Sequence, residues 1–151
     1  MFSARVQTAD IDVGAETETL RHAAPEAGAL ANFLGIVRST ANRPITALTL
    51  EHYPGMTDAA LDRIGREAIE RFALLGCTII HRVGTLRPGD AIVLVLTAAR
   101  HRRAALDATA FLIDWLKTDA PFWKKEHLPD GAEAWVEARA EDDHAAARWN
   151  G

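Results

Sequence analysis

The sequence predicts an α+β domain with a mainly antiparallel sheet and two main helices. Strand-like runs outnumber helical ones. Neighbouring runs are mostly joined by short turns such as Arg87-Pro88-Gly89-Asp90, so hairpins outnumber the crossovers that a doubly wound parallel sheet requires. The chain has 151 residues, 48% hydrophobic and 25% charged, which suits a single domain over 1–151 that buries a core without disulfides or a structural metal.

The elements follow in order. Ala4 to Thr8 reads as an edge strand and Val13 to His22 as a short helix. Gly28 to Arg38 (GALANFLGIVR) reads as a strand with small residues on one face, and Ser39 to Pro44 (STANRP) as a polar, mobile loop. In Ile45 to Tyr53, residues Thr46, Leu48, Leu50 and His52 share one face. After the Pro54-Gly55 turn, Thr57 is the expected N-cap of a helix carrying Leu61, Ile64, Ala68, Phe72 and Leu75, and Gly76 its expected stop. Cys77 to Leu86 and Ala91 to Arg100 are two strands. The second is apolar on both faces and so belongs inside a sheet. A second main helix spans Arg102 to Thr118, and Pro121 blocks its continuation. Phe122 to Leu128 and Ala132 to Arg139 are further extended segments. The charged tail from Ala140 either frays or docks through Trp149.

Composition excludes several classes. A formal charge of −4 speaks against a nucleic-acid or anionic-membrane surface. A lone cysteine, Cys77, forms no internal disulfide and fits a reducing compartment. The opening MFSARVQTAD lacks the apolar stretch of a signal peptide, and the longest apolar run, Ala91 to Ala99, is half a membrane span. A cytoplasmic protein with no membrane or nucleic-acid partner is the expectation. No GxGxxG, Walker-type or GxSxG motif occurs, the six histidines sit at no metal-ligand spacing, and no cofactor or metal is expected.

Two constellations remain. In Ala99-Arg100-His101-Arg102-Arg103, basic groups crowd a helix N-terminus that already carries partial positive charge. A bound phosphate resolves that conflict. Arginines turned to solvent, with Arg103 paired to Asp107, also resolve it. The second constellation holds all three lysines, Lys117, Lys124 and Lys125, in a chain whose other 14 basic residues are arginine. Either this is chance, or an amine is required where a guanidinium does not serve. In an extended segment Lys124 and Lys125 face opposite ways, so at most one points back toward Lys117, and Glu126 shares the face of Lys124. Arg38 by itself is an ordinary surface arginine. Cys77, heading an apolar strand, reads as a small buried hydrophobe.

The strings GALANFLGIVR, LTLEHYPGM, IIHRVGTLRPGD, AARHRRAALDA, DWLKTDAPFWKKE and WVEAR, running in order from Gly28 to Arg139, resemble the MoaE family, the large catalytic subunit of molybdopterin synthase. Residues 1–27 and 140–151 match only loosely. The resemblance implies an α/β-hammerhead-type fold and a homodimer at the centre of a heterotetramer. It implies that a small ubiquitin-like subunit inserts its thiocarboxylated C-terminal Gly-Gly. Two sulfurs then pass to cyclic pyranopterin monophosphate, forming molybdopterin. By motif, Lys117 and Lys124 are the implied essential lysines. Arg38 with the backbone of Ile36 and Val37, His101, Arg102, Lys124, Lys125, Glu126 and Arg139 are the implied substrate pocket, with Arg139 from either subunit. A charged lysine there can stabilise an oxyanion, and a deprotonated one can act in proton transfer or attack an acyl carbon; the residues leave all three open. The rivals are an adaptor that captures a Gly-Gly tail without chemistry and a pterin- or nucleotide-phosphate binding module.

Overall fold

The computed structural model describes residues 1–136 and 140–150. The order is β1 (Phe2–Gln7), α1 (Val13–Ala23), β2 (Ala29–Ile36), β3 (Ala47–His52), α2 (Met56–Phe72), β4 (Gly76–Arg82), β5 (Gly84–Leu86), β6 (Ala91–Ala99), α3 (Arg102–Thr118), β7 (Phe122–His127), β8 (Glu133–Trp135) and α4 (Ala140–Ala147). Two four-stranded sheets form, β1-β4-β6-β2 and β5-β3-β7-β8. Among the described residues only the β1–β4 pair is parallel, so the expected α+β architecture with a mainly antiparallel sheet is what the chain adopts.

The first sheet is buried on both faces. Cys77 and Ile79 of β4 and Val93 and Val95 of β6 pack against Leu61, Ile64 and Ala68 of α2 and Ala105, Ala108 and Leu112 of α3. The alternate residues Ile80, Leu94, Leu96 and Ala98 meet Leu20 and Ala24 at the α1 side. Two-sided burial explains why β6 is continuously apolar. The second sheet covers a smaller core of Val37, Ile45, Leu48, Leu50, Val83 and Leu86.

Three local expectations are corrected. Thr57 is not the cap of α2 but lies inside it, with its hydroxyl donating to the Pro121 carbonyl at 3.1 Å and accepting from the Tyr53 amide at 3.2 Å. Gly55, at φ 85°, is the cap, and its amide donates to Asp58 Oδ2 at 3.1 Å. α2 stops at Ala73, in the left-handed region at φ 52°, and Gly76 instead opens β4. Cys77 to Leu86 is two strands in two sheets. The chain turns at Gly84, at φ 95°, a conformation that L side chains resist. The tail docks: Trp149 Nε1 donates to Asp114 Oδ2 at 2.7 Å, and its ring packs edge-on against Phe72 and Phe111.

Candidate functional site

The two sheets part company at the ends of β2 and β4, where the C-terminus of α3 and the start of β7 arrive. That junction leaves a cleft of about 500 Å³ lined by Ile36, Arg38, His81, Leu116, Lys117, Thr118, Ala120, Phe122, Lys124, Val136 and Asp142. An adjoining hollow of about 190 Å³ is largely apolar, with Phe33, Gly35, Val93 and Ile113 in its wall, and shares His81, Lys117 and Lys124 with the cleft.

Each cation arrives for a local reason. Lys117 lies in the last turn of α3, where carbonyl ends favour a cation. Pro121 then reverses the chain into β7. β7 pairs with β3 in a register that sets Lys124 opposite the buried Leu50 and Lys125 opposite Thr49. The inner face of β7 thus carries Phe122, Lys124 and Glu126. Arg38 follows β2, held by Val37, whose amide donates to the Asp90 carbonyl at 2.9 Å while its carbonyl accepts from Gly89 at 2.8 Å.

The structure brings together Arg38, Lys117 and Lys124, with Ile36 at the rim, and separates the others. Lys125 lies on the opposite face, 3.3 Å from Glu133 and over the Trp135 ring. Glu126 pairs with Arg43 at 3.0 Å and so tethers the Ser39 to Pro44 loop, which Thr40 and Arg43 close by mutual backbone hydrogen bonds. Val37 is buried in the smaller core and does not line the cleft. His101 and Arg102 are exposed at the far end of α3, about 23 Å from Lys117 at roughly 1.5 Å per residue. His101 is the N-cap, makes no side-chain capping bond, and no acid occupies the first turn. Arg103 lies 4.0 Å from Asp107 and Arg100 3.3 Å from Glu26, so both flanking arginines are paired at the surface. Arg139 falls outside the described residues.

Sequence reasoning passed over His81. It is only 4% exposed, at the end of β4, and its ring stacks on Phe122 at 3.8 Å. Burial holds its pKa down at about 3, a hydrogen bond to the Arg82 carbonyl opposes this, and the charges of Lys124 and Lys117 add to the depression. Within a run of apolar residues a single histidine carries no signal of its own; only its position at a strand end before Gly84 marks the junction. Cys77 is fully buried, and burial pushes its thiol up to about 12. Among the described residues no group of three or more His, Cys, Asp or Glu is placed to hold a metal ion, and no helix is long and apolar enough to cross a membrane.

A second hollow of about 460 Å³ lies between α2, α3 and the tail. Its arginines, Arg63 and Arg71, lie over aromatic rings and share the wall with Glu67 and Asp119, so it lacks the one-signed charge of an anion site.

The family model described as "MoaE protein" matches residues 6–119. The chain belongs to the MoaE family. A molybdopterin synthase catalytic subunit from Mesorhizobium japonicum is 51% identical over 146 residues, covering 96% of this chain and 91% of that protein. One from Rhizobium meliloti is 51% identical over 146 residues, covering 96% and 94%. The solved structure of a molybdopterin biosynthesis MoaE protein from Burkholderia ambifaria superposes with a TM-score of 0.85 at 50% identity, covering 100% of this chain and 99% of that one. The MoaE match ends at residue 119, so it includes Arg38, His101, Arg102 and Lys117. Lys124 lies beyond it, within the segment that the longer alignments span almost completely.

Proposed function

We propose that this MoaE chain is the catalytic subunit of a cytoplasmic molybdopterin synthase. It takes sulfur from the C-terminal thiocarboxylate of a small ubiquitin-like partner and places two sulfurs on cyclic pyranopterin monophosphate. The observation that carries this reading is the convergence of Arg38, Lys117 and Lys124, from three separate elements, on one cleft. The relatives' name supports it: a catalytic subunit works beside another chain.

Both reactants are anions, so a cationic cleft concentrates them. The adjoining apolar hollow suits a thin, uncharged stretch of tail, which leaves the thiocarboxylate among the ammonium groups. When the carbonyl carbon of the tail is attacked, negative charge builds on its oxygen, and a lysine beside it stabilises that charge. Lys125 and Glu126 act indirectly, by holding β8 and the Arg43 loop against β7. His101 and Arg102 form a phosphate site at a helix N-terminus. It serves the same substrate when supplied by a second copy, and Arg139 is assigned to that shared site through the WVEAR motif. A homodimer carrying one small subunit at each end follows.

The deciding experiment mixes the purified chain with thiocarboxylated small subunit and the pterin precursor and weighs the products. Dithiolene product is expected. Tight binding of the small subunit with no sulfur leaving it would make the chain an adaptor. Binding of pterin phosphate alone would make it a phosphate-binding module.

A further inference from the structure

His81 is only 4% exposed, yet one of its ring nitrogens has no hydrogen-bond partner among the described residues. Nδ1 lies 2.8 Å from the Arg82 carbonyl oxygen. A carbonyl oxygen only accepts, so Nδ1 carries the hydrogen and Nε2 of the neutral ring carries the lone pair. Among the described residues the Thr78 hydroxyl alone is both sealed from solvent and without a partner. Nε2 is therefore partnerless without being sealed, and it opens onto the space that His81 lines, the cleft and the adjoining hollow. The ring is held there by its stack on Phe122, at 3.8 Å and an interplanar angle of 17°. Burial first, and then the charges of Lys124 and Lys117, hold its pKa at about 3, so at neutral pH the ring offers an acceptor and no charge.

The wall of the hollow says what this acceptor can meet. Apart from His81, its side chains are hydrocarbon or belong to Lys117 and Lys124, whose ammonium groups only donate. His81 is thus the one acceptor among those side chains. A peptide N–H carried into this wall leaves water and needs an acceptor. A narrow apolar hollow admits an uncharged peptide without side chains more readily than a charged pterin phosphate. His81, Lys117 and Lys124 border both cavities, so they mark the place where a tail leaves the hollow and its end enters the cleft. The N–H that arrives there belongs to the last residue of the tail, two bonds from the carbonyl carbon that reacts.

We propose that His81 is a positioning residue that touches the partner's tail: its Nε2 lone pair accepts a hydrogen bond from the last peptide N–H and so fixes the neighbouring carbonyl carbon among the lysines. The identity of the tail rests on the sulfur-transfer reading above.

The test uses the full chain and a small subunit ending in an ordinary carboxylate, so that binding is read apart from sulfur transfer. A semisynthetic partner replaces its last peptide bond by an ester, which exchanges the N–H for an oxygen and keeps length and charge. In nitrogen-15 NMR the amide partner should move the His81 Nε2 resonance, and the ester partner should leave it near its free position. By calorimetry the ester should bind the parent chain about tenfold more weakly than the amide. His81→Leu keeps apolar bulk and lacks the acceptor, and it should bind the two partners within about twofold of each other. Equal discrimination by the parent and His81→Leu overturns the proposal. An Nε2 that carries the hydrogen, or a resonance that responds to neither partner or to both alike, also overturns it, and this arm needs no variant to fold. A resonance that moves with the pterin precursor and not with the tail overturns it too, and makes His81 a pterin contact. A small subunit that does not bind sinks both the proposal and the partner reading. Amide-dependent movement of Nε2, with no sulfur leaving a thiocarboxylated partner, sinks the sulfur-transfer reading alone.

Discussion

Lys117 ends a helix, where any cation gains a little from the carbonyl dipole, so its chemistry can be tested apart from its stability. Lys117→Ala should lose most sulfur transfer while unfolding within about 1 kcal/mol of the parent. Lys117→Arg should be nearly as inactive, because charge is kept and the amine is lost. Near-normal turnover in the Arg variant would reduce Lys117 to an electrostatic post. Cys77 gives the opposite expectation. Buried, with its thiol pushed up to about 12, it has little thiolate to offer as a sulfur carrier. Cys77→Ala should keep transfer within a few-fold and cost about 1–2 kcal/mol of packing in a urea melt. Loss of product from a folded variant that still binds its partner would make Cys77 a carrier after all. His81 contributes to the acid limb of stability. Its proton is bound more weakly in the folded chain than in the unfolded one, at about 3 against 6.5, so the stabilising effect is complete above the unfolded value. It drains away as pH falls from there toward 3. His81→Gln should flatten that limb by as much as about 4–5 kcal/mol in pH-dependent urea melts, and an unchanged slope would mean that the ring protonates in place. Residue chemistry of the first kind was legible in the sequence. The lysine cluster and the opposed faces of Lys124 and Lys125 follow from composition and a period of two. His81 was not legible, because burial against Phe122 is a tertiary fact with no local signature.

At the scale of elements, α3 was the clearest. Its apolar stripe, Pro121 and the crowded basic start placed both ends where the structure has them. The β4–β5 run reads as one strand in the sequence because its β-forming character is continuous, while the chain changes sheet at Gly84, whose backbone takes a positive φ. The cap of α2 was misread because Thr57 has the right chemistry in the wrong place, with its hydroxyl already committed to Pro121 and Tyr53. The start of α3 carries the opposite lesson. Its N-cap makes no capping bond and its first turn holds no acid, so the helix forgoes stability at that end. His101→Ser should therefore raise stability by about 0.5–2 kcal/mol, a thermal midpoint gain of roughly 2–4 °C per kcal/mol. It should also weaken pterin-phosphate binding, as should Arg102→Ala, by about 1.5–3 kcal/mol for a lost charge-assisted hydrogen bond. Calorimetry finding phosphate affinity untouched while the midpoint rises would assign the basic cluster to solvent.

At the scale of the whole molecule, the distance along α3 decides how the parts cooperate. A helix of 17 residues separates His101 and Arg102 from Lys117 by about 23 Å, more than one pterin phosphate can bridge within a single chain. If both ends act on one substrate, the phosphate site of one copy must meet the lysine cleft of another, and a two-fold dimer provides two such meetings. The consequence can be counted. Neither Lys117→Ala nor Arg102→Ala homodimers hold an intact site. A mixed dimer holds one intact site and one doubly damaged site. Random exchange of equal amounts makes about half the dimers mixed, so about a quarter of the parent's sites return. Mixing the two variants, allowing subunits to exchange, and assaying single-turnover dithiolene formation at pterin concentrations too low to fill the Arg102→Ala sites should recover roughly that fraction. The recovery should vanish if the variants are cross-linked as homodimers beforehand. No recovery between variants shown by mass to have exchanged would place lysines and phosphate site in the same chain's service. The anion held at His101 and Arg102 would then be a different one from that reacting beside Lys117.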